Sequence, residues 1–361
     1  MKVKNNIKGA DYLIFDEQRG VYVMPEDQAV RDDVEKRRWI SILKIIIKDW
    51  RLYLMLVPML FVFLCWRYLP MYELIRAFKD GVAENVSDQM YVGLSNFRTL
   101  FVKNATSDYS QNFWRAFRNT FLLSFYGLLF GFPMPVILAL FFNEIRSDFA
   151  RSVYQVLTYL PKFMSTVIMT TLVVLLIKKP DLTSGSGIIA KFLGDVGLLS
   201  KETVESGIIN DPKYFRAIYE ISGIWETAGY DSIVFFAAII AISPTSYEAA
   251  RIDGAGKTAQ MRYVVLPSIL STVVIMLITR IGHMLNVGYE KIILLYENST
   301  AQGDLETATT VSTFSYELSK STTPGLGAIG AAAEMINNLI GMMLVIGANT
   351  IAKKAADVSL D

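Results

Sequence analysis

Long runs of uninterrupted apolar residues constrain this chain more than any other feature. The cleanest is Thr120–Phe142, and five comparable stretches are separated by polar segments. Apolar residues make up 52% of the 361. They are gathered in blocks rather than spread with an amphipathic period, which argues against one to three soluble domains. A block of about 20 apolar residues is long enough to cross a bilayer. In hydrocarbon every backbone N–H and C=O must find its partner inside the element, so runs of this length are helices. The expectation is an all-α integral membrane protein with six transmembrane helices and both termini on one side of the membrane.

The predicted spans are 52–77, 120–142, 153–177, 215–242, 266–289 and 329–351. Residues 1–51 form an N-terminal extension. Within it Trp39–Trp50 interleaves Ile and Leu with lysines between two tryptophans, the pattern of an interfacial helix or of the wet start of the first span. Residues 78–115 form a loop, 116–352 the core, 243–265 a polar island inside that core, and 353–361 a tail. The N-terminus carries charges of both signs and no apolar h-region, so it does not read as a cleavable signal peptide. Gly127-x-x-x-Gly131 offers a close-packing face for another helix.

Composition excludes several classes. A net charge of +1 gives no reason to expect nucleic-acid binding. The single cysteine, Cys65, rules out an intrachain disulfide and a cysteine metal cluster, and the single histidine, His283, rules out a multi-His site. No nucleophile–base pair stands out, so neither catalytic nor metal-ligating residues are expected. Gly185-x-Gly187-x-x-Ala190 matches a dinucleotide fingerprint only formally, because no strand precedes it. Gly256-Lys257-Thr258 ends like a phosphate-binding loop, but Arg251 stands where that motif requires its first glycine. The chain is therefore expected to bind no nucleotide or other cofactor itself.

The polar island EAARIDGAGKTAQMRYVVLP, Glu248–Pro267, has the makings of a helix–loop–helix. Thr245 and Glu248 have capping-box spacing, Gly254 can end the first helix, and Pro267 suits the first turn of the next one. On Glu248, Ala249, Ala250, Asp253, Gly254, Ala255, Leu266 and Pro267 the stretch resembles the EAA loop of permease subunits of binding-protein-dependent ABC importers. Met261 stands where such loops often carry a large aromatic, and Val264 where they usually carry Ile. The runs Tyr68–Asp80 (YLPMYELIRAFKD) and Gly93–Phe97 resemble permeases for oligosaccharides in particular.

The resemblance implies a type I importer permease fold in the cytoplasmic membrane, with residues 243–265 and both termini cytoplasmic and 78–115 extracytoplasmic. Lysine and arginine bias agrees only softly. Lys36, Arg37, Arg38, Lys44, Lys48, Arg51, Lys353 and Lys354 favour this orientation, whereas Lys178, Lys179, Lys213 and Arg216 sit on the other side. The implied partners are a second homologous permease, two copies of an ATPase subunit that bind ATP and Mg and dock on the loop, an extracytoplasmic solute-binding protein, and a carbohydrate. Ionisable and amide side chains inside spans are costly and mark a candidate pathway. These are Trp225, Glu226 and Tyr230; then Arg280, His283, Asn286 and Glu290 on an arc of roughly 120°; then Glu334, Asn337 and Asn338. The alternatives weighed are an ion-gradient-driven secondary transporter, a membrane sensor and a membrane enzyme. Six spans without an evident internal repeat disfavour the first.

Overall fold

The computed structural model describes residues 14–16, 21–23, 48–102, 108–180, 187–297 and 306–356. The chain divides into two units, Met1–Glu73 and Leu74–Asp361. The first contains a short antiparallel hairpin, Ile14–Asp16 with Val21–Val23, which the all-α expectation did not include. Most of the anticipated interfacial helix at 39–50 lies outside the described residues. Every other regular element described is helical.

Among the described residues four helices are long and apolar enough to cross a membrane: Trp50–Phe78, Tyr109–Glu144, Pro212–Ile240 and Leu326–Lys354. Two further apolar helix pairs are bent, Asp148–Phe163 with Thr166–Ile177 by 105° and Lys257–Ser268 with Leu270–Gly282 by 60°; counted as one span each, they bring the total to six. Large apolar side chains such as Phe141 and Met343 are about two-thirds exposed, as expected of a surface that meets lipid.

Several expected boundaries are corrected. The straight third span at 153–177 is a broken one. Pro161 sits in a 3-10 turn, Met164 is extended, and the Ser165 side chain accepts from the Ile168 N–H to start a new helix. The fifth span does not run to Tyr289 but stops at Gly282. Residues 283–288 are non-helical, and a separate helix begins at Tyr289. Pro267 does sit in the first turn of a helix, but that helix is only Leu266–Ser268 and the span proper begins at Leu270. A wide turn at Met261–Val265, closed by the Leu266 N–H on the Met261 carbonyl, precedes it, and the bend falls at Ile269. Such turns and prolines are the usual causes of helix breaks.

Between spans the chain is tied by polar anchors rather than by hydrophobic contrast, which lipid removes. Asn119, fully buried, donates to the Glu306 and Thr309 carbonyls and accepts from Arg216. Next to it, Thr120 Oγ1 accepts from the Val311 N–H at 2.9 Å. In the Gly93–Phe97 turn, Gly93 takes φ +60° and Asn96 donates to the Ala77 and Lys79 carbonyls. Close packing supplies the rest. A Cβ on Gly229 would lie 2.1 Å from the Thr158 carbonyl oxygen, so the long helix Pro212–Ile240 meets the first half of the bent pair backbone to backbone. Gly187, part of the dismissed fingerprint, is likewise a packing glycine, its would-be Cβ 2.3 Å from the Leu176 carbonyl oxygen.

Candidate functional site

Two places on the molecule concentrate polar chemistry. The first is a cavity of about 370 Å³ between Tyr109–Glu144, the long helix and the chain around Arg280–Lys291. Its wall on the long helix carries Glu220, Gly223 and Glu226 at three-residue spacing, one face of a helix. Lys291, from the helix Tyr289–Glu297, lies over that face. Its Nζ is 3.2 Å from Glu226 Oε2 and 5.3 Å from the centre of the Tyr219 ring. A Cβ on Gly223 would touch the ammonium at 3.6 Å, so glycine leaves room for it. Gly127 and Gly131 form the opposite floor. A Cβ on Gly127 would be 3.3 Å from Glu220 Oε2 and 3.9 Å from Arg280 Nη2, and one on Gly131 3.7 Å from Arg280 Nη2. The Gly127-x-x-x-Gly131 motif packs against the long helix at Glu220 and Ile224, the close-packing face expected of it, and also leaves room for the Arg280 guanidinium.

Of the pathway residues expected from sequence, Glu226, His283, Asn286 and Glu290 line this cavity, as does Arg280. They do not share a helical arc, because the helix ends at Gly282. The turn at 283–288 gathers them instead, held by Ser124 donating to the Met284 carbonyl and by Asn337 donating to the Leu285 carbonyl at 3.1 Å. Asn337 is thus buried as a structural pin rather than facing the cavity. Trp225 points the other way, into an apolar cavity of about 350 Å³ with Val173 and Ile218. Tyr230 packs edge-on against Phe163 at 5.9 Å. Glu334 and the exposed Asn338 are not among the lining residues. Sequence reasoning missed Glu220 and Lys291. Glu220 was findable, since it lies in the same apolar run as Glu226 and on the same face.

The second place is the polar island. Pro244–Ile252 is a helix, but Ser243 stands at its N-cap position. The Thr245 hydroxyl meets the Ser243 hydroxyl at 2.7 Å and neither caps the helix, so the expected Thr245–Glu248 capping box does not form. The stop is as expected. Gly254 takes φ +75°, with the Ala255 N–H on the Ala250 carbonyl and the Gly254 N–H on the Arg251 carbonyl, a Schellman ending. Chain then resumes as helix at Lys257. Glu248, Ala249, Asp253 and Gly254 are exposed, and Ile252 is 86% exposed. A polar cleft separates this loop from Asn143–Arg146, bridged by an ion pair between Lys257 and Glu144. Burial in the same cleft pushes the Tyr247 phenol above its ordinary range.

Comparison with known proteins places the polar island and most of the cavity inside a recognised region. The family model described as "Binding-protein-dependent transport system inner membrane component" matches residues 131–346. Protein LplB of Bacillus subtilis (strain 168) is 33% identical over 317 residues, covering 88% of this chain and 92% of LplB. The polygalacturonan/rhamnogalacturonan transport system permease protein YteP of the same organism is 33% identical over 331 residues, 91% of this chain and 95% of YteP. Among solved structures, a chain of a bacterial ABC transporter involved in the import of the acidic polysaccharide alginate is 37% identical, with a TM-score of 0.73 over 88% of this chain and 99% of that one. A chain of the bacterial alginate ABC transporter in complex with its alginate pentasaccharide-bound periplasmic protein is 38% identical at the same TM-score and coverage. With the model spanning more than half its length and two relatives matching nearly all of it, the chain belongs to the family of binding-protein-dependent transport system inner membrane components.

Proposed function

We propose that the chain is one of two permease subunits of an ATP-driven importer that moves an oligosaccharide delivered by an extracytoplasmic binding protein. The cavity between the second, fourth and fifth spans carries this reading. It brings carboxylates, an arginine, an imidazole and an amide together among apolar helices, where only a polar cargo or helix contacts would call for them. Hydroxyl-rich cargo needs such donors and acceptors, held loosely enough to pass. The sugar-import roles of the relatives favour carbohydrate over amino acids or metals.

In this reading the chain crosses the cytoplasmic membrane six times with both termini inside. The exposed helix Pro244–Ile252 is the surface offered to two ATPase subunits, with Glu248, Ala249, Ala250, Asp253, Gly254, Ala255, Met261, Leu266 and Pro267 forming the coupling element. ATP and Mg are held by those partners and not by this chain. The engagement of Lys257 by Glu144 supports that division, since the lysine of the apparent phosphate motif is already paired.

The test is reconstitution in proteoliposomes of this chain with its second permease, the ATPase and the binding protein. Import and ATP hydrolysis should rise together when sugar-loaded binding protein is enclosed with the extracytoplasmic face. Uptake by this chain alone, driven by an ion gradient without ATP, would overturn the proposal.

A further inference from the structure

Arg280 closes the last turn of Leu270–Gly282 and puts its guanidinium over the bare backbone of Gly127 and Gly131. It faces the cavity and acts electrostatically on Glu220 and Asp231, but its donors make no hydrogen bond or ion pair among the described residues. The other fixed cation there, Lys291, is taken up by Glu226. An arginine inside a membrane region is costly and ordinarily pairs or lines a pathway. Here the sequence surrounds it with glycines, which keep its donors open. We infer that Arg280 receives the carboxylate of the cargo, and that the cargo is an oligosaccharide containing uronic acids. The inference rests on the carbohydrate-import reading above and adds the charge of the sugar and the residue that senses it.

The chemistry favours an acidic sugar over a neutral one. A hydroxyl meets the guanidinium with a single neutral acceptor, whereas a carboxylate matches its planar fork with two charge-assisted bonds. Glu220, on the other side of Gly127, supplies an acceptor beside those donors. A hexuronate presents the matching pair, a carboxylate with a hydroxyl on the neighbouring ring carbon. Glu220 and Glu290 repel the remaining charges of a polyanion, so the hold stays at one point and release is easy. His283, also at the cavity, adds a further hydrogen-bonding side chain.

The experiment uses the complete reconstituted complex, with an unaltered binding protein loaded with trigalacturonate or its methyl-esterified, neutral counterpart. Wild type should carry the acidic trimer. Arg280→Gln should lower kcat/KM for it about tenfold, the size of one lost charge-assisted contact, and the neutral trimer about twofold at most. Arg280→Lys, which keeps charge but not the fork, should fall between, and it carries the test if Arg280→Gln fails to assemble. Because the binding protein is unchanged, any shift in preference belongs to this chain. Equal loss for both trimers, near-normal uronate import by either variant, or wild-type import of the neutral trimer alone would overturn the role of Arg280. If wild type moves no oligosaccharide of either kind, the import reading itself fails, a distinct result.

Discussion

Lys291 Nζ lies 3.2 Å from Glu226 Oε2, joining a helix beyond the fifth span to the middle of the long fourth one, and both side chains are more than four-fifths buried. Removing one member of a buried pair strands the other charge, at a cost of about 3–5 kcal/mol, whereas removing both is far milder. Glu226→Gln or Lys291→Met alone should therefore lower the melting temperature of the purified complex by several degrees, and the double substitution should recover most of the loss. A double variant no better than the worse single one would show that the pair is not a unit.

The exposed loop around Gly254 depends on one backbone conformation. Gly254 has φ +75°, which costs a residue with a side chain about 1–2 kcal/mol. Gly254→Val, and more so Gly254→Pro, should abolish uptake while leaving the amount of protein in the membrane unchanged. Glu248→Lys, on the exposed face of the same helix, should do likewise. Co-purification with the ATPase is the direct readout, and normal recovery with all three loop variants would count against the proposed docking.

Lys257 gives a sharp negative expectation. Its pair with Glu144 is largely solvent-exposed and contributes at most about 0.2–1 kcal/mol. Lys257→Ala should leave the affinity of the assembled complex for a non-hydrolysable ATP analogue unchanged. A large drop in a titration would mean that this lysine contacts phosphate.

Accessibility separates cavity from scaffold. In a Cys65→Ser background, cysteine at Asn286 or Glu290 should react with a membrane-impermeant thiol reagent and be protected by cargo. Cysteine at the buried Asn337 should not react. Cysteine at Trp225 should react slowly whether or not cargo is present, because that side chain faces an apolar cavity that disfavours the thiolate. Protection at Trp225, with none at Asn286, would reverse the assignment of the pathway.

Gly229 tests the packing of the long helix. With a Cβ only 2.1 Å from the Thr158 carbonyl oxygen, backbone must move, and overpacking of this kind costs about 1–3 kcal/mol. Gly229→Ala should reduce the yield of folded protein in detergent and lower its melting temperature. Unchanged stability would mean that the two helices separate freely at this point.

The apolar runs by themselves determined that the chain is helical where it meets lipid, because hydrocarbon leaves the backbone no other way to satisfy its hydrogen bonds. The end of the helix Pro244–Ile252 at Gly254 was equally local, set by the one residue type that takes a left-handed turn at no cost. What sequence could not determine was where spans break. The arc through Arg280, His283, Asn286 and Glu290 assumed a straight helix. The turn that gathers them is held by Ser124 and Asn337, 160 and 52 residues away along the chain from the carbonyls they bind. The same distance in sequence hid Lys291 from Glu226, 65 residues apart, and Gly127 from Arg280. Local pattern reports which side chains are costly in a membrane; only the packed helices decide which of them are pins, which are paired, and which stay open to the cavity.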